Sequence, residues 1–306
     1  MKNIAICYSE HAIKVSDSYC SGAASNHAHT SSSLSASAPS IQTAVTSIYK
    51  VKLSNEKQFL IRIGWCNPAM NHAFSITISD YPFSTAKLSR SFMILRRQRG
   101  SEDLESAGLR ADVFWDLRRA RFETGPEPVS GFYMAVLINS ELALVLGDME
   151  QEVLIEAKKC VSDNSTVPEL SLISRGERFS GGGVYAARAK FSEAGAWHDI
   201  VIRFCGTTSS RGSLLCVYVD GKSVVEVKRV QWNFRGNQSI FLDGLLIDLM
   251  WDVHDWVFNP SASSGYAVFL FRTRRGLDSR LWLEETAFHH QKLAFSFLVF
   301  ACKNPD

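Results

Sequence analysis

The sequence predicts an all-β protein built from two related antiparallel β units that follow a serine-rich N-terminal tail. Three observations support this prediction: apolar and polar residues alternate over long stretches, turn-forming residues separate those stretches, and the two halves of the chain resemble each other. Alternation with a period of two is typical of strands that bury one face. With 306 residues, the chain can hold one large domain or two of ordinary size.

Several strands can be placed from this alternation. Phe59, Ile61, Ile63 and Trp65 alternate with polar or small residues, and residues 74–78 repeat the pattern. Asp220-Gly221 lies between two apolar runs and predicts a type I′ hairpin turn. A modest helical pattern is visible over residues 148–160. Further predicted strands cover residues 131–138, 142–146, 184–191, 198–205, 214–219, 223–234, 266–272 and 293–302.

Composition divides the chain into four segments. Residues 1–40 are expected to be mostly disordered, because residues 16–40 contain ten serines and almost no large apolar side chains. A transit peptide is the alternative for this tail, although no arginine occurs before Arg62. Residues 41–147 form the first predicted β repeat, and residues 181–306 form the second repeat plus a C-terminal strand. Residues 148–180 connect the repeats and contain the helical pattern.

The strongest signal in the sequence is an internal similarity at an offset of 136 residues. Residues 100–122 align with residues 236–258 without a gap, and seven of the 23 pairs are identical, among them Trp115/Trp251 and Asp116/Asp252. This period is far longer than a propeller blade or a solenoid turn. We therefore predict a duplication whose copies form either two tandem sandwiches or the two halves of one barrel.

The shared tryptophan–aspartate signature is expected to be architectural. Trp115 and Trp251 fall on the apolar face of their strands, where each would bury on the order of 200 Å². Asp112 and Asp116 fall on the other face, with Cα atoms roughly 13 Å apart, which is too far for a catalytic carboxylate pair. Since Asp116 and Asp252 lie near strand ends, we expect them to cap backbone amides of the following turn.

Two groups of residues are candidates for a binding site. Asp252, His254 and Asp255 occur together only in the second copy, where Asp252 and His254 would share a strand face and could join an acid–base pair or a metal site. No third metal ligand is visible in the sequence, so we assign no metal. The second group is the set Arg229, Trp232 and Arg235, which suits an anion or RNA.

Both groups also have structural explanations, and for Asp252 this is the capping of backbone amides described above. Trp232 and Phe234 suit the inner face of the strand predicted over 223–234. Trp197, which precedes His198, is another aromatic platform for a sugar or a base. The patterns alone do not choose between these interpretations.

Composition and motifs argue against several classes of protein. A net charge of +2 provides no strong field for an anionic membrane or nucleic acid, so neither is an expected partner. No apolar run approaches the roughly 20 residues that cross a bilayer, and no secretory signal is visible. Seven cysteines without a C-x-x-C motif indicate reduced thiols, and hence a cytoplasmic or nuclear protein. In the absence of nucleotide-binding, metal-binding and hydrolase motifs, we assign no cofactor and no catalytic residue.

Several segments of the chain resemble the plant family called domain of unknown function 868. The resemblance extends from the N-terminal "ICYSEHAIKVS" to the end of the chain, and it implies a plant protein whose family has no established biochemical activity and therefore no catalytic residues to carry over. The segments that carry it are "SIYKVKL", "VFWDL", "ALVLGDM", "YAARAKFSE", "QWNFRGNQSI", "LMWDVHDWVF" and "FACKNP".

We therefore expect a non-catalytic β module that binds a protein, or a small ligand between its two copies. The first alternative is a hydrolase or sugar-active enzyme that uses Asp252, His254 and Asp255. The second is RNA or anion binding near Trp232.

Overall fold

Strands make up most of the structure, which is a computed structural model, and the predicted all-β class is confirmed. The structure describes residues 40–67, 72–82, 87–93, 97–106, 108–149, 168–205, 214–259, 265–274 and 294–303. The predicted tail and nearly all of the helical pattern over 148–160 lie outside these residues.

The described residues form strands β1 to β19 and one short helix, α1. The first ten strands are β1 (Ile41–Lys52), β2 (Gln58–Cys66), β3 (Ala73–Tyr81), β4 (Lys87–Met93), β5 (Arg99–Ser106), β6 (Leu109–Asp116), β7 (Arg121–Phe122), β8 (Pro128–Ser130), β9 (Tyr133–Ile138) and β10 (Glu141–Gly147). The remaining elements are β11 (Glu169–Ser180), β12 (Val184–Ala189), β13 (His198–Cys205), β14 (Leu214–Val219), β15 (Lys222–Lys228), β16 (Arg235–Leu242), β17 (Leu245–Asp252), α1 (His254–Phe258), β18 (Tyr266–Thr273) and β19 (Ser296–Cys302).

Three large sheets and one small ribbon organise these strands. The largest sheet has nine strands in the order β16-β17-β18-β19-β11-β1-β2-β3-β4. Two four-stranded sheets have the orders β10-β9-β6-β5 and β12-β13-β14-β15, and β7 pairs with β8. Each of these sheets is open at both ends, so the described residues form no closed barrel, and the barrel alternative is wrong for them.

The first sandwich is the pairing of β1–β4 with the sheet of β5, β6, β9 and β10. Alternate residues of β2, from Phe59 to Trp65, are buried as the sequence predicts. The ring of Phe74 lies 5.4 Å from the ring of Trp115 on the facing sheet, and Trp65 lies 6.1 Å from Phe132. Aromatic contacts therefore fill the centre of this core.

The second sandwich packs β12–β15 against β16–β19. Phe204 of β13 lies 6.1 Å from Phe269 of β18, and Phe191 lies 6.2 Å from Phe271. Its core is a separate cluster of buried residues from that of the first sandwich. The two sandwiches therefore have separate cores over one shared sheet.

Strand β11 joins the two sandwiches. It lies inside the segment predicted as a connector, and it pairs antiparallel with β1 and parallel with β19. Register places Trp65 beside Val45, Val45 beside Glu177, and Glu177 beside Val299. Because cross-strand neighbours share a face, the cores that contain Trp65 and Val299 lie on the same side of the large sheet.

Buried polar residues occupy that side between the two cores. Arg175 of β11 donates from Nε to Glu177 at 2.9 Å and from a terminal nitrogen to Glu127 at 2.7 Å. Gln42 donates its amide to the other Glu177 oxygen at 2.7 Å. Burial raises the pKa of Glu177, and the neighbouring Arg175 opposes that rise. The junction is therefore a hydrogen-bonded ionic network rather than an extension of either apolar core.

The tryptophan–aspartate signature makes the same contacts in both sandwiches. The indole Nε1 of Trp115 donates to the carbonyl of Arg97 at 3.0 Å, and that of Trp251 donates to Asn233 at 3.1 Å. The four strands that surround each signature also follow the same order, β5-β6-β9-β10 and β16-β17-β18-β19. Trp115 is fully buried, whereas Trp251 packs on its core and stays partly exposed.

A glycine lies against each of these indole rings. Gly100 pairs across the ladder with Trp115, and Gly236 pairs with Trp251. A methyl group on Gly100 would lie 2.7 Å from Cζ2 of Trp115, and one on Gly236 would also overlap its indole. These positions therefore need glycine for lack of space rather than for backbone freedom.

We predict that Gly100→Ala destabilises the protein by about 1–3 kcal/mol, because the fully buried Trp115 has no room to retreat. The measurement is urea unfolding followed by tryptophan fluorescence. Ser101→Ala, at an exposed position of the same strand, is the matched control and should change stability by less than about 0.5 kcal/mol. Equal stabilities for the two variants would contradict the steric explanation.

Candidate functional site

Asp252 is engaged at the end of β17. One of its carboxylate oxygens accepts a hydrogen bond from Nε of Arg235 at 2.8 Å, and the other accepts one from the backbone amide of His254 at 3.1 Å. Burial alone would raise the pKa of Asp252, but the His254 amide and Arg235 together hold this pKa below its usual value. Asp116 accepts the amide of Arg118 in the same way, so both aspartates make the capping contact that their positions predict.

His254 begins helix α1 instead of continuing the strand, so it does not extend the face on which Asp252 lies. Its Nδ1 lies 2.9 Å from Asp255 Oδ1, and its ring contacts Phe234 and Phe258 at centroid distances of 5.3 and 5.0 Å. The structure thus brings the three predicted residues close together. The Asp252 carboxylate, however, is bound to Arg235 and to a backbone amide.

The predicted strand over 223–234 is wrong beyond Lys228. Arg229 has a φ of 55°, and the amide of Trp232 bonds back to the Arg229 carbonyl at 2.8 Å, which makes a turn. Trp232 is 78% exposed, so it does not lie on the inner face of a strand. Arg229, Trp232 and Arg235 are all exposed, but the Arg235 guanidinium is paired with Asp252.

A buried histidine, whose structural role the sequence does not indicate, joins the two sheets of the second sandwich. His198 Nδ1 lies 2.7 Å from Asp220 Oδ2, and Nε2 lies 3.1 Å from Asp243 Oδ2. Asp220 is in the β14–β15 turn and Asp243 is in the β16–β17 turn, and a glycine follows each of them, as in a type I′ turn. The signal in the sequence is the pair of Asp-Gly turns, Asp220-Gly221 and Asp243-Gly244.

The surroundings of His198 favour its charged form. Burial alone would lower the pKa of His198, but the carboxylates of Asp220 and Asp243 outweigh burial and raise it above its usual value. Hydrogen bonds to His198 and to backbone amides lower the pKa of each aspartate in turn. The three side chains form a salt-bridged clamp, and no group of three or more potential ligands among the described residues is arranged to hold a metal ion.

A groove of about 780 Å³ crosses the open face of the nine-stranded sheet. It lies where β1 and β2 of the first unit meet β11, β18 and β19, and we call it the junction groove. Glu177 also borders it, with its carboxylate bound to Arg175 and Gln42. The other lining residues are Ala44, Thr46, Ile48, Arg62, Ser174, Gly176, Arg178, Tyr266, Leu298, Phe300 and Cys302.

A second cavity, of about 530 Å³, opens at one end of the second sandwich, and we call it the Trp197 pocket. The loop between β12 and β13 supplies one wall, and β11 supplies another. The lining residues are Ser171, Leu172, Arg175, Lys190, Phe191, Ser192, Glu193, Trp197, Leu245, Thr273, Arg274, Ala294 and Phe295.

The chain matches the model of a known protein family. A family model described as "Plant protein of unknown function (DUF868)" matches residues 40–303. No curated protein and no solved structure matches the chain. Among the described residues, no helix has the length and apolar character needed to span a membrane.

We predict that the His198 clamp makes stability depend on pH. The folded pKa of His198 is raised above an unfolded value of about 6.5, so its stabilisation is complete below about pH 6.5 and is lost as the pH rises through the folded pKa. Urea unfolding of the wild type and of His198→Gln, compared from about pH 5.5 to 8.5, should show a stability difference that shrinks as the pH rises. His254→Gln is the control, and a difference that is flat or grows with pH would contradict the clamp.

We also predict that Asp252→Ala lowers the free energy of unfolding by about 1–2 kcal/mol, because it removes a backbone cap and an ion pair. Thermal unfolding measures the loss. Asp255→Ala removes only a contact with the neighbouring His254, so it should cost less than Asp252→Ala. Equal losses would show that capping is not the main role of Asp252.

Proposed function

We propose that this chain, which belongs to the plant family DUF868, is a non-catalytic binding module that holds a small amphipathic anion in the junction groove. The observation that carries the proposal is the position of the groove. Its walls come from both β units, so the site exists only when the two are joined through β11.

The floor of the junction groove suits an apolar chain. Thr46, Gly176 and Leu298 are direct neighbours across β1, β11 and β19. A methyl group built on Gly176 would meet its neighbours only at 3.9 Å or more, so the space above this residue is open. Partly exposed Phe300 and Ile48 add apolar surface, and burying such surface against a ligand is favourable by roughly 25 cal/mol per Å².

Two arginines supply the preference for an anion. Arg62 of β2 and Arg178 of β11 both line the groove, and both are exposed. No ion pair of Arg62 occurs within the described part of the chain. An arginine at the rim of an apolar groove favours a ligand with a carboxylate, sulfonate or phosphate head and an apolar body.

Duplication explains why such a groove would form. We infer that the two units derive from one ancestral sandwich, because the strand orders and the tryptophan, glycine and aspartate contacts recur at the 136-residue offset. One copy alone would provide only one wall. A site between the copies is then a property that the duplication created.

The alternatives receive less support from the geometry. A hydrolase centred on Asp252, His254 and Asp255 would need an available carboxylate, but the Asp252 carboxylate is occupied by Arg235 and a backbone amide. RNA or anion binding at Trp232 would rely mainly on Arg229, because Arg235 is paired with Asp252. Neither cavity described above is lined by any of these six residues.

The test is isothermal titration calorimetry with dodecanoate, and displacement of the anionic dye 1-anilinonaphthalene-8-sulfonate by dodecanoate. We expect saturable binding that Gly176→Leu weakens at least tenfold by filling the floor, which corresponds to about 1.4 kcal/mol. Arg62→Gln should weaken the binding of dodecanoate. The binding of dodecanol, which lacks the charge, should be nearly unchanged.

Arg121→Gln is the matched control, because Arg121 is an exposed arginine of β7 that does not line the groove. It should bind dodecanoate as the wild type does. Circular dichroism establishes that each variant is folded. The proposal is overturned if neither probe binds, or if folded Gly176→Leu binds dodecanoate with unchanged affinity.

A further inference from the structure

The Trp197 pocket is separate from the junction groove and has an exposed tryptophan in its wall. Trp197 is 57% exposed, whereas Trp65 and Trp115 are fully buried in a core. It lines the pocket together with buried Phe191. A large aromatic ring kept at a cavity wall offers a flat apolar surface to a ligand.

The position of this ring is fixed by its neighbours. The Arg188 guanidinium lies over the Trp197 ring at 5.9 Å and is itself held by Asp199 at 2.9 Å. On the preceding residue, the amide of Ala196 donates to Asp243 at 2.8 Å. The residue that follows Trp197, His198, is clamped between Asp220 and Asp243. The aromatic wall is thus preorganised, which lowers the entropic cost of binding.

Polar groups surround the aromatic wall. Ser171, Ser192, Lys190 and Glu193, which carry hydroxyl, ammonium and carboxylate groups, all line the pocket. Lys190 is half-buried, and the described residues provide no carboxylate partner for it. Donors and acceptors of both kinds beside an aromatic plane match a ligand that has one apolar face and a rim of hydroxyl groups.

A pyranose ring with equatorial hydroxyl groups has this form. Its axial C–H groups make a flat, slightly electropositive face that complements the electron-rich face of indole, and its hydroxyls both donate and accept at the edge. The cavity of about 530 Å³ also lies within the range of roughly 300–1,000 Å³ that is usual for small-ligand sites.

We propose that the Trp197 pocket binds a pyranose oligosaccharide, with one sugar ring stacked on Trp197 and its hydroxyls bonded to Lys190. Arg175, which lines the pocket, and Ser174, which lines the junction groove, are consecutive residues of β11 and project to opposite faces of the sheet. The two sites therefore lie on opposite sides of the large sheet and are independently testable.

The experiment uses the full chain and cellotetraose, an oligosaccharide of equatorially substituted glucose units. Binding is measured by isothermal titration calorimetry and by saturation-transfer NMR, which reports the sugar protons that contact the protein. We expect saturable binding that falls at least tenfold in Trp197→Ala and less in Trp197→Phe. Lys190→Ala should weaken binding to an intermediate degree.

Two controls separate this site from others. Trp232→Ala removes an even more exposed tryptophan that does not line the pocket, and it should leave cellotetraose binding unchanged. Gly176→Leu should weaken dodecanoate binding at least tenfold and leave cellotetraose binding intact. The inference is overturned if cellotetraose does not bind, if folded Trp197→Ala binds it with unchanged affinity, or if Trp232→Ala loses binding as well.

Discussion

The two-sided pairing of β11 is the constraint on which the rest of the structure depends. A strand with β1 on one edge and β19 on the other turns two separate sandwiches into one continuous sheet. Alternate residues of β11 face two different environments. Arg175 and Glu177 enter the polar junction between the cores, while Ser174 and Gly176 face the junction groove. A shift of one residue in either register would exchange these faces and place an ionic network on the open side.

The sequence predicted those parts of the fold in which burial follows a simple period. Apolar and polar residues alternate from Phe59 to Trp65 because one face of β2 covers a core. Asp220-Gly221 predicts a turn because this pair suits the positive φ values that both residues have in the structure. Strand β11 lies in the predicted connector, and its sequence does not predict a strand for the opposite reason. Both of its faces carry polar residues, and Arg175 and Glu177 are stabilised by each other rather than by apolar contacts, so no alternation of hydrophobicity marks the strand.

The candidate site shows the same limit. The apolar alternation of Val230, Trp232 and Phe234 continues past the end of β15, so a period of two persisted through a turn that only the backbone of Arg229 reveals. His198 could not be identified as a clamp, because its partners are 22 and 45 residues away and meet it only after the two sheets stack. The junction groove depends on cross-strand register between the two units, which no local pattern encodes.

The parallel ladder between β11 and β19 also has a consequence for how the molecule is assembled during synthesis. Strands β12 to β18 of the second sandwich separate these two strands along the chain, so their contact is among the most non-local of the described residues. Ladders of this kind form late, because a long loop must close before they gain any hydrogen bonds. Until β19 leaves the ribosome, the edge of β11 that pairs with β19 stays unpaired. The first sandwich then exposes a strand edge that is prone to aggregation. This is the stage at which a chaperone would matter most.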